Sequence, residues 1–500
     1  MRGPHIIRLT AVAMFLLAGG PAALAQTTQN AAVDQVFAEY SKPGSPGCAL
    51  GVFRDGKIIY EKGYGLASVE ENVAITPQTV FDIGSTSKQF TASSILLLEK
   101  QGKLSVHDDI RKYIPELPDY GRPITILNLL NHTSGLRDYL VLMSLAGINT
   151  DSVTTDGDAL GLIVRQNRLN FEPGTDYLYS NTGFFLLSVI VKRVSGKTLR
   201  EYAQENIFAP LGMRHTQYRD DHALLIPNRA LAYDPKEGGG YSLDVSYFEQ
   251  TGDGAVHTTV EDLQKWDENF YSAQIGGKDF LAELQERGKL AAGKTLDYAK
   301  GLVVSEYRGL RTVSHGGSWG GYRAQLLRFP DQHFSVACLC NVGTADTSAL
   351  SRGVADVYLS AQMKPQEPAK AAPPQAAGAP EAQQAKESPT PTAEELAAYA
   401  GDYWSEELRV TYRIAAKDGG LVLTDLIGAD LISHAAGFVH RELRPAGSDE
   451  FQMSHPRWTC HFTRDASHRV NGFRLDAGRT LGMAFIRIQR SPGLDSAGKP

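Results

Sequence analysis

Residues 363–392 of this 500-residue chain hold the run KPQEPAKAAPPQAAGAPEAQQAKESPTPT, rich in Pro, Ala and Gln and almost without large apolar side chains. A segment of that composition cannot bury enough surface to offset the entropy of ordering itself, so it reads as a disordered linker. The chain must therefore fold as separate units. Residues 26–362 are long enough for one large domain with a sizeable core, and residues 393–490 match one small domain, followed by a flexible tail at 491–500. No internal repeat relates the two parts.

Residues 1–25 carry Arg2 and Arg8, then the apolar run AVAMFLLAGG, then AALA with small residues at Ala23 and Ala25. That is the pattern of a secretory signal peptide ending before Gln26. Its apolar run is too short to span a bilayer, so the expected location is the periplasm or the exterior. The formal net charge of −6 becomes more negative once Arg2 and Arg8 leave, which argues against nucleic acid and anionic membranes as partners. The four cysteines, Cys48, Cys338, Cys340 and Cys460, are too few for a disulfide framework at this length. In SVACLCNV, Cys338 and Cys340 fall on one face of a β-type run and read as buried thiols; a bond to Cys48 stays open in an oxidising compartment. With no CxxC or HExxH spacing and thirteen scattered histidines, neither metal nor cofactor is expected.

The large domain opens with CALGVFRDGKIIYEKGYGLAS, two β-type runs around the turn signal Asp55-Gly56. Helical patterns follow at 86–101, at 185–208 with a break at Gly196, and at 262–272; strand patterns return in GLVVSEYRGLRTVSHGG, YRAQLLRFP and FSVACLCNV. Strands, then helices, then strands predict one antiparallel sheet built from both ends of the domain and flanked by helices. In the tail, short β-type runs between Gly, Asp and Ser turns predict a small barrel or sandwich without a catalytic set of its own.

The stretch FDIGSTSKQF carries the most chemistry. A helix starting at Ser85 places Lys88 one turn on, within reach of the hydroxyl. Ser85 as a helix cap and Lys88 on a solvated face is the plain alternative. Against it, the lysine shares its face with Thr91, Ala92 and Ile95 rather than with charged residues. A lysine buried there loses basicity and can take a proton from a serine nucleophile with no histidine involved. Two further stretches fit that chemistry. Tyr179-Ser180-Asn181 offers a phenol to relay a proton and an amide to orient a carbonyl, though packing and capping would also explain it. His315-Gly316-Gly317 lies on a β-type run where a bare Gly317 admits close approach by a substrate, and the Ser318 N–H supplies a possible oxyanion donor; a bend with a surface histidine is the alternative.

In order and type, Ser85-Thr86-Ser87-Lys88, Tyr179-Ser180-Asn181 and His315-Gly316-Gly317 resemble the three catalytic motifs of the serine β-lactamase and penicillin-binding-protein superfamily. The likeness is to the branch of class C β-lactamases, D,D-carboxypeptidases, D-aminopeptidases and esterases. LLNHTSGLRDY, FEPGTDYLYSNTG and NIFAPLGMRHT extend it over residues 30–360, and the tail is similar to lipocalin-like domains of D-aminopeptidase-type members. The resemblance implies an α/β sandwich with a mainly antiparallel sheet, helices and a helical cluster. It implies acylation of Ser85, base and acid roles shared by Lys88 and Tyr179, Asn181 holding the substrate amide or the lysine, and an oxyanion hole from the Ser85 and Ser318 N–H groups. The implied substrate is a small molecule or peptide, cell-wall derived or a small ester.

His315 stands where class C enzymes carry the lysine of Lys-Thr-Gly. An imidazole of ordinary pKa is only fractionally charged at neutral pH, which suits the peptidase and esterase members better than β-lactam hydrolysis. Arg323 is a candidate replacement cation, with an outward-facing surface arginine the favoured reading. The alternatives kept beside an amide or ester hydrolase are a class C-like β-lactamase and a protein that binds penicillins or wall fragments without turnover. Gly316-Gly317-Ser318-Trp319-Gly320 also fits G-x-S-x-G, but the β-hairpin pattern after it lacks the helix that a nucleophile elbow requires.

Overall fold

Asp55 and Gly56 both take left-handed backbone angles (φ 49° and 72°), the requirement of a two-residue turn that closes a hairpin without splaying its strands. They join β1 (Cys48–Arg54) to β2 (Lys57–Tyr64). This computed structural model describes residues 21–148, 151–365, 391–428, 441–453 and 458–488. Most of the expected leader and linker and all of the expected tail at 491–500 lie outside the described residues; a helix, α1 (Pro21–Val36), runs across the expected cleavage point.

The remaining strands of the main sheet come from the far end of the domain: β3 (Arg287–Lys289), β4 (Thr295–Ala299), β5 (Leu302–Tyr307), β6 (Leu310–Trp319), β7 (Tyr322–Phe329) and β8 (Phe334–Cys340). Their order is β3-β4-β5-β6-β7-β8-β1-β2, antiparallel throughout, so the two ends of the domain meet where β8 pairs with β1. This is the sheet that the strand–helix–strand order predicts. Alternation along β1 serves both faces. Ala49 and Phe53 join a core shared with the helices α2 (Lys88–Lys100), α3 (Asn181–Ser195) and α4 (Val260–Ser272), while Cys48, Leu50 and Val52 join a second core beneath α1 and α5 (Thr347–Leu359). Gly196, at φ 75°, ends α3 as its left-handed cap.

Three details differ from the sequence reading. The turn Gly84–Ser87 is 3-10, and the α-helix begins at Lys88 rather than Ser85. Helix α3 starts at Asn181, four residues before the apolar run, directly after Ser180, which is still extended. Cys340 is bonded to Cys48, and only Cys338 of the pair is a buried free thiol. The two bonded residues are direct partners in the β1–β8 register. A separation of 292 residues hides that adjacency from the sequence.

The tail closes into a barrel of eight strands: β9 (Gly401–Ser405), β10 (Val410–Lys417), β11 (Gly420–Gly428), β12 (Arg441–Gly447), β13 (Glu450–Met453), β14 (Trp458–Arg464), β15 (Val470–Ala477) and β16 (Thr480–Ile488). Pairing of Asp402 with Ile488 joins the first strand to the last, and Tyr403, Phe451, Phe462, Phe473 and Phe485 fill the interior. The charged, proline-bearing β12 carries a register shift between Pro445 and Gly447, the irregularity that tolerates a proline in a ladder. The barrel docks on the large domain through a buried ion pair, Arg137 Nη1 to Glu407 Oε1 at 2.9 Å, and through Tyr412, whose hydroxyl donates to the Leu145 carbonyl.

Candidate active site

Ser85 sits on the 3-10 turn that follows the short strand Phe81–Asp82. The turn is held from both sides. Asp82 Oδ1 accepts the Gly84 N–H at 2.7 Å, and Thr86 Oγ1 donates to the His315 carbonyl at 3.2 Å. Gly84 has φ 48°, and a Cβ on it would lie 2.7 Å from the Ser318 nitrogen. A Cβ on Gly317 would lie 1.8 Å from the Ile83 carbonyl oxygen. Gly317 lines the cavity, and β6 presses so closely on the turn that carries Ser85 that only a glycine fits there. The same approach brings the backbone of Ser318 against Gly84, the residue before Ser85. Ser318 itself lies in β6 and is followed by β7, so no strand–turn–helix elbow exists there.

Lys88 opens α2 and is completely buried. Its Nζ lies 2.6 Å from the Asp253 carbonyl oxygen, 2.9 Å from Asn181 Oδ1 and 3.1 Å from Ser85 Oγ. The first two can only accept hydrogen bonds. A neutral amine spends its two N–H groups on them and turns its lone pair to the Ser85 hydroxyl. Burial pushes the ammonium down to about 7; the Asp253 and Asp138 carboxylates oppose this, and the Arg479 charge reinforces it.

Tyr179 lies in the extended segment before α3, half-buried and hydrogen-bonded to Ser85. Burial raises its phenol above the ordinary value, against the pull of that hydrogen bond. Lys88 Nζ lies 4.9 Å and the Arg479 guanidinium 5.4 Å from the centre of its ring. His315 is buried and neutral. Its Nδ1–H donates to the Gly316 carbonyl at 2.6 Å, Nε2 accepts from the Tyr298 hydroxyl at 3.1 Å, and burial drives its pKa down to about 4. The solvated histidine of the sequence reading is thus replaced by a fixed, uncharged one. Arg323 is also corrected: it lines the cavity half-buried instead of facing outward, with Nη1 donating to the Gly320 and Tyr322 carbonyls.

Residues outside the three motifs complete the site. His132, in the HTSGL stretch, packs against Tyr179 with ring centres 4.2 Å apart and planes tilted by 38°, and its Nδ1 accepts the Ser180 N–H. Asp138 is fully buried and accepts the Asn181 N–H at 2.8 Å, seating the start of α3. The Tyr139 hydroxyl donates to the Asp253 carboxylate at 3.1 and 3.3 Å, and burial raises that carboxyl to about 6. Most unexpectedly, Arg479 reaches the site from the turn between β15 and β16 of the barrel, with Nε 3.4 Å from Asp138 Oδ2. All of these groups border or underlie one cavity of about 1040 Å³ that opens on Ser85, Tyr179, Asn181, His315 and Arg479. Among the described residues, the exposed and half-exposed trio Asp221, His222 and Glu249 brings possible metal-ligating atoms together, with His222 Nδ1 2.7 Å from Glu249 Oε1.

Comparison with known proteins places the chain in a family of hydrolases. The family model described as Beta-lactamase matches residues 33–381, more than two thirds of the chain, and the chain belongs to that family. It is 32% identical over 307 residues to "Penicillin-binding protein 4*" of Bacillus subtilis (strain 168), covering 57% of this chain and 66% of that protein. It is 30% identical over 297 residues to a "D-aminopeptidase" of Brucella anthropi, covering 59% of this chain and 56% of that one. The chain thus spans less than two thirds of the length of either relative. The solved structure of the octameric penicillin-binding protein homologue from Pyrococcus abyssi superposes on 92% of this chain and 99% of its own, with a TM-score of 0.60 at 22% identity. At that identity the likeness shows the shared fold.

Proposed function

We propose that the chain is an exported serine hydrolase that cleaves an amide or ester, such as a D-amino-acid peptide or a small ester, through an acyl-enzyme on Ser85. The observation that carries this reading is the set of partners around Lys88. Two obligate acceptors and the nucleophile surround an amine whose pKa has fallen to about 7. The Ser85 proton passes to the Lys88 lone pair as Oγ bonds to the substrate carbonyl carbon and the carbonyl π electrons move to oxygen. The Ser85 and Ser318 N–H groups face that oxyanion. Collapse breaks the bond to the leaving group, which takes its proton from the Tyr179 hydroxyl, and the Lys88 ammonium returns a proton to Tyr179. Water then repeats the sequence in reverse order to free Ser85. Because the Tyr179 phenol is raised, Lys88 is the base and Tyr179 the acid, a sharper division than shared roles. Asn181 holds the lysine amine through Oδ1.

A neutral His315 supplies no charge for a β-lactam carboxylate, which supports a peptidase or esterase over a β-lactamase. Export is supported by the leader-like residues 1–25 and by the Cys48–Cys340 bond, since disulfides persist in oxidising compartments. The test is intact-mass analysis after treatment with a fluorophosphonate and a penicillin, with turnover of p-nitrophenyl acetate, nitrocefin and a D-alanine anilide. One adduct on wild type, none on Ser85→Ala, and turnover of the ester or anilide support the reading. Retained turnover in Ser85→Ala refutes it, and a stable adduct with no turnover of any substrate assigns the chain to non-catalytic binding instead.

A further inference from the structure

We infer that His132 is a positioning residue for the general acid: it holds the backbone on both sides of Tyr179 and so keeps the phenol at Ser85. This deepens the function proposed above and rests on it.

His132 follows the short helix Ile126–Leu130 with φ 56°, in the left-handed region that Asn, Asp and His enter more readily than other residues with a side chain. From there it bonds twice to the segment before α3. Its carbonyl accepts the Leu178 N–H at 3.1 Å, and its Nδ1 accepts the Ser180 N–H at 3.2 Å. Leu178 and Ser180 flank Tyr179, so one residue fixes the chain on either side of the phenol. The imidazole also packs against the Tyr179 ring, centres 4.2 Å apart. Residues 176–180 belong to no helix or strand, and these contacts stand in for the ladder bonds that a strand would supply.

The bond to Ser180 also sets the tautomer. Nδ1 accepts, so it carries no proton, and the single proton of the uncharged ring is on Nε2. Burial drives this imidazole well below its ordinary pKa, and Lys88 and Arg479 add to the effect. Nε2 is itself buried and without a hydrogen-bond partner among the described residues. It lies among the rings of Tyr177, Tyr179, Phe184 and Tyr298. An uncapped buried donor is a cost that an apolar side chain of similar shape avoids. What the imidazole supplies against that cost is Nδ1, the acceptor for Ser180.

Neither ring nitrogen bonds to Ser85, Lys88 or Asn181, so the effect of His132 on the reaction passes through Tyr179. The Tyr179 hydroxyl is hydrogen-bonded to Ser85 and protonates the leaving group in the proposed mechanism. A displaced phenol therefore slows departure of a basic leaving group and spares one that departs as a stable anion.

The experiment measures kcat/KM of the full chain on p-nitrophenyl acetate, whose phenolate leaves without a proton, and on benzyl acetate, whose alcoholate does not. His132→Phe keeps a ring but no acceptor; His132→Asn offers Oδ1 near the place of Nδ1 and tolerates the left-handed backbone. His132→Phe should lose roughly tenfold or more on benzyl acetate beyond its loss on p-nitrophenyl acetate, part of the roughly 100-fold or greater effect of a placed general acid. His132→Asn should recover most of that difference. Equal losses on both esters, which a merely structural histidine would produce, overturn the inference. So does an asparagine variant no better than the phenylalanine one, or a wild type that turns over neither ester. Ring-nitrogen NMR of wild type labelled at histidine, with His132 assigned through the backbone, needs no folded variant: a proton on Nε2 alone supports the inference, and a proton on Nδ1 overturns it. Fluorophosphonate labelling of Ser85, in which fluoride leaves without a proton, separates the two claims: labelling with equal losses refutes only the role of His132, and failure to label wild type refutes the proposed function as well.

Discussion

Removing the carboxylate that faces Lys88 should make the amine a base at lower pH, and removing the arginine should do the reverse. Burial takes this lysine from its ordinary 10.5 down to about 7. At pH 7 that raises the neutral fraction from about one in 3,000 to about a half, equivalent to a penalty of about 5 kcal/mol on the charged form. Asp253 works against the penalty, because its negative charge favours the ammonium. Asp253→Asn should therefore lower the Lys88 pKa by about one unit, or about 1.4 kcal/mol. Arg479 disfavours the ammonium, so Arg479→Gln should raise it. The assay is the second-order rate of Ser85 acylation by a fluorophosphonate, followed by intact mass from pH 5 to 9. In wild type the rate should rise through a midpoint near the lysine's about 7; the midpoint should move down in Asp253→Asn and up in Arg479→Gln. Because Asp253 itself titrates at about 6, the comparison is clearest above that pH. Midpoints that move together, or an Asp253→Asn midpoint above the wild-type one, would refute the electrostatic account of the base.

Three further outcomes follow from the packing. Gly317→Ala places a methyl group 1.8 Å from the Ile83 carbonyl; relief must displace the nucleophile turn, so acylation should fall at least tenfold and thermal unfolding should register a loss of about 1–3 kcal/mol. Glu407→Ala leaves Arg137, whose side chain is 1% exposed, buried without its acid, which should cost about 3–5 kcal/mol in chemical denaturation, whereas the double replacement Arg137→Met with Glu407→Leu should recover most of that. Cys340→Ser removes the link between the first and last strands of the main sheet and should cost about 2–4 kcal/mol in oxidised protein, with no effect of a reductant on the variant.

Much of the candidate site is readable in the sequence because it is local or periodic. Ser85 and Lys88 are one turn apart, and the uncharged company of Thr91, Ala92 and Ile95 already points to a lysine turned inward. The sheet follows from where the strand patterns fall, at both ends of the large domain. What stays hidden depends on which distant segments come to lie side by side. Cys48 and Cys340 pair because β1 and β8 are neighbours. His315 loses its charge because segments distant in sequence bury it, with Lys88 adding to the effect. Asp253 reaches Lys88 from 165 residues away through its carbonyl. Arg479 is the extreme case: it sits in a β-turn of ordinary composition beyond the linker, and only docking of the barrel against Arg137 and Asn170 carries it to Tyr179. No local spacing rule marks such a residue.

The central claim is that an unprotonated lysine amine deprotonates Ser85. The most direct measurement is NMR titration of the Lys88 side chain in protein labelled at the lysine Nζ, with its signal assigned by its loss in Lys88→Ala. The account predicts a midpoint near 7 and, in the neutral state, two N–H groups protected from exchange by Asn181 and Asp253. A Lys88 signal that stays that of an ammonium up to pH 10 would contradict it.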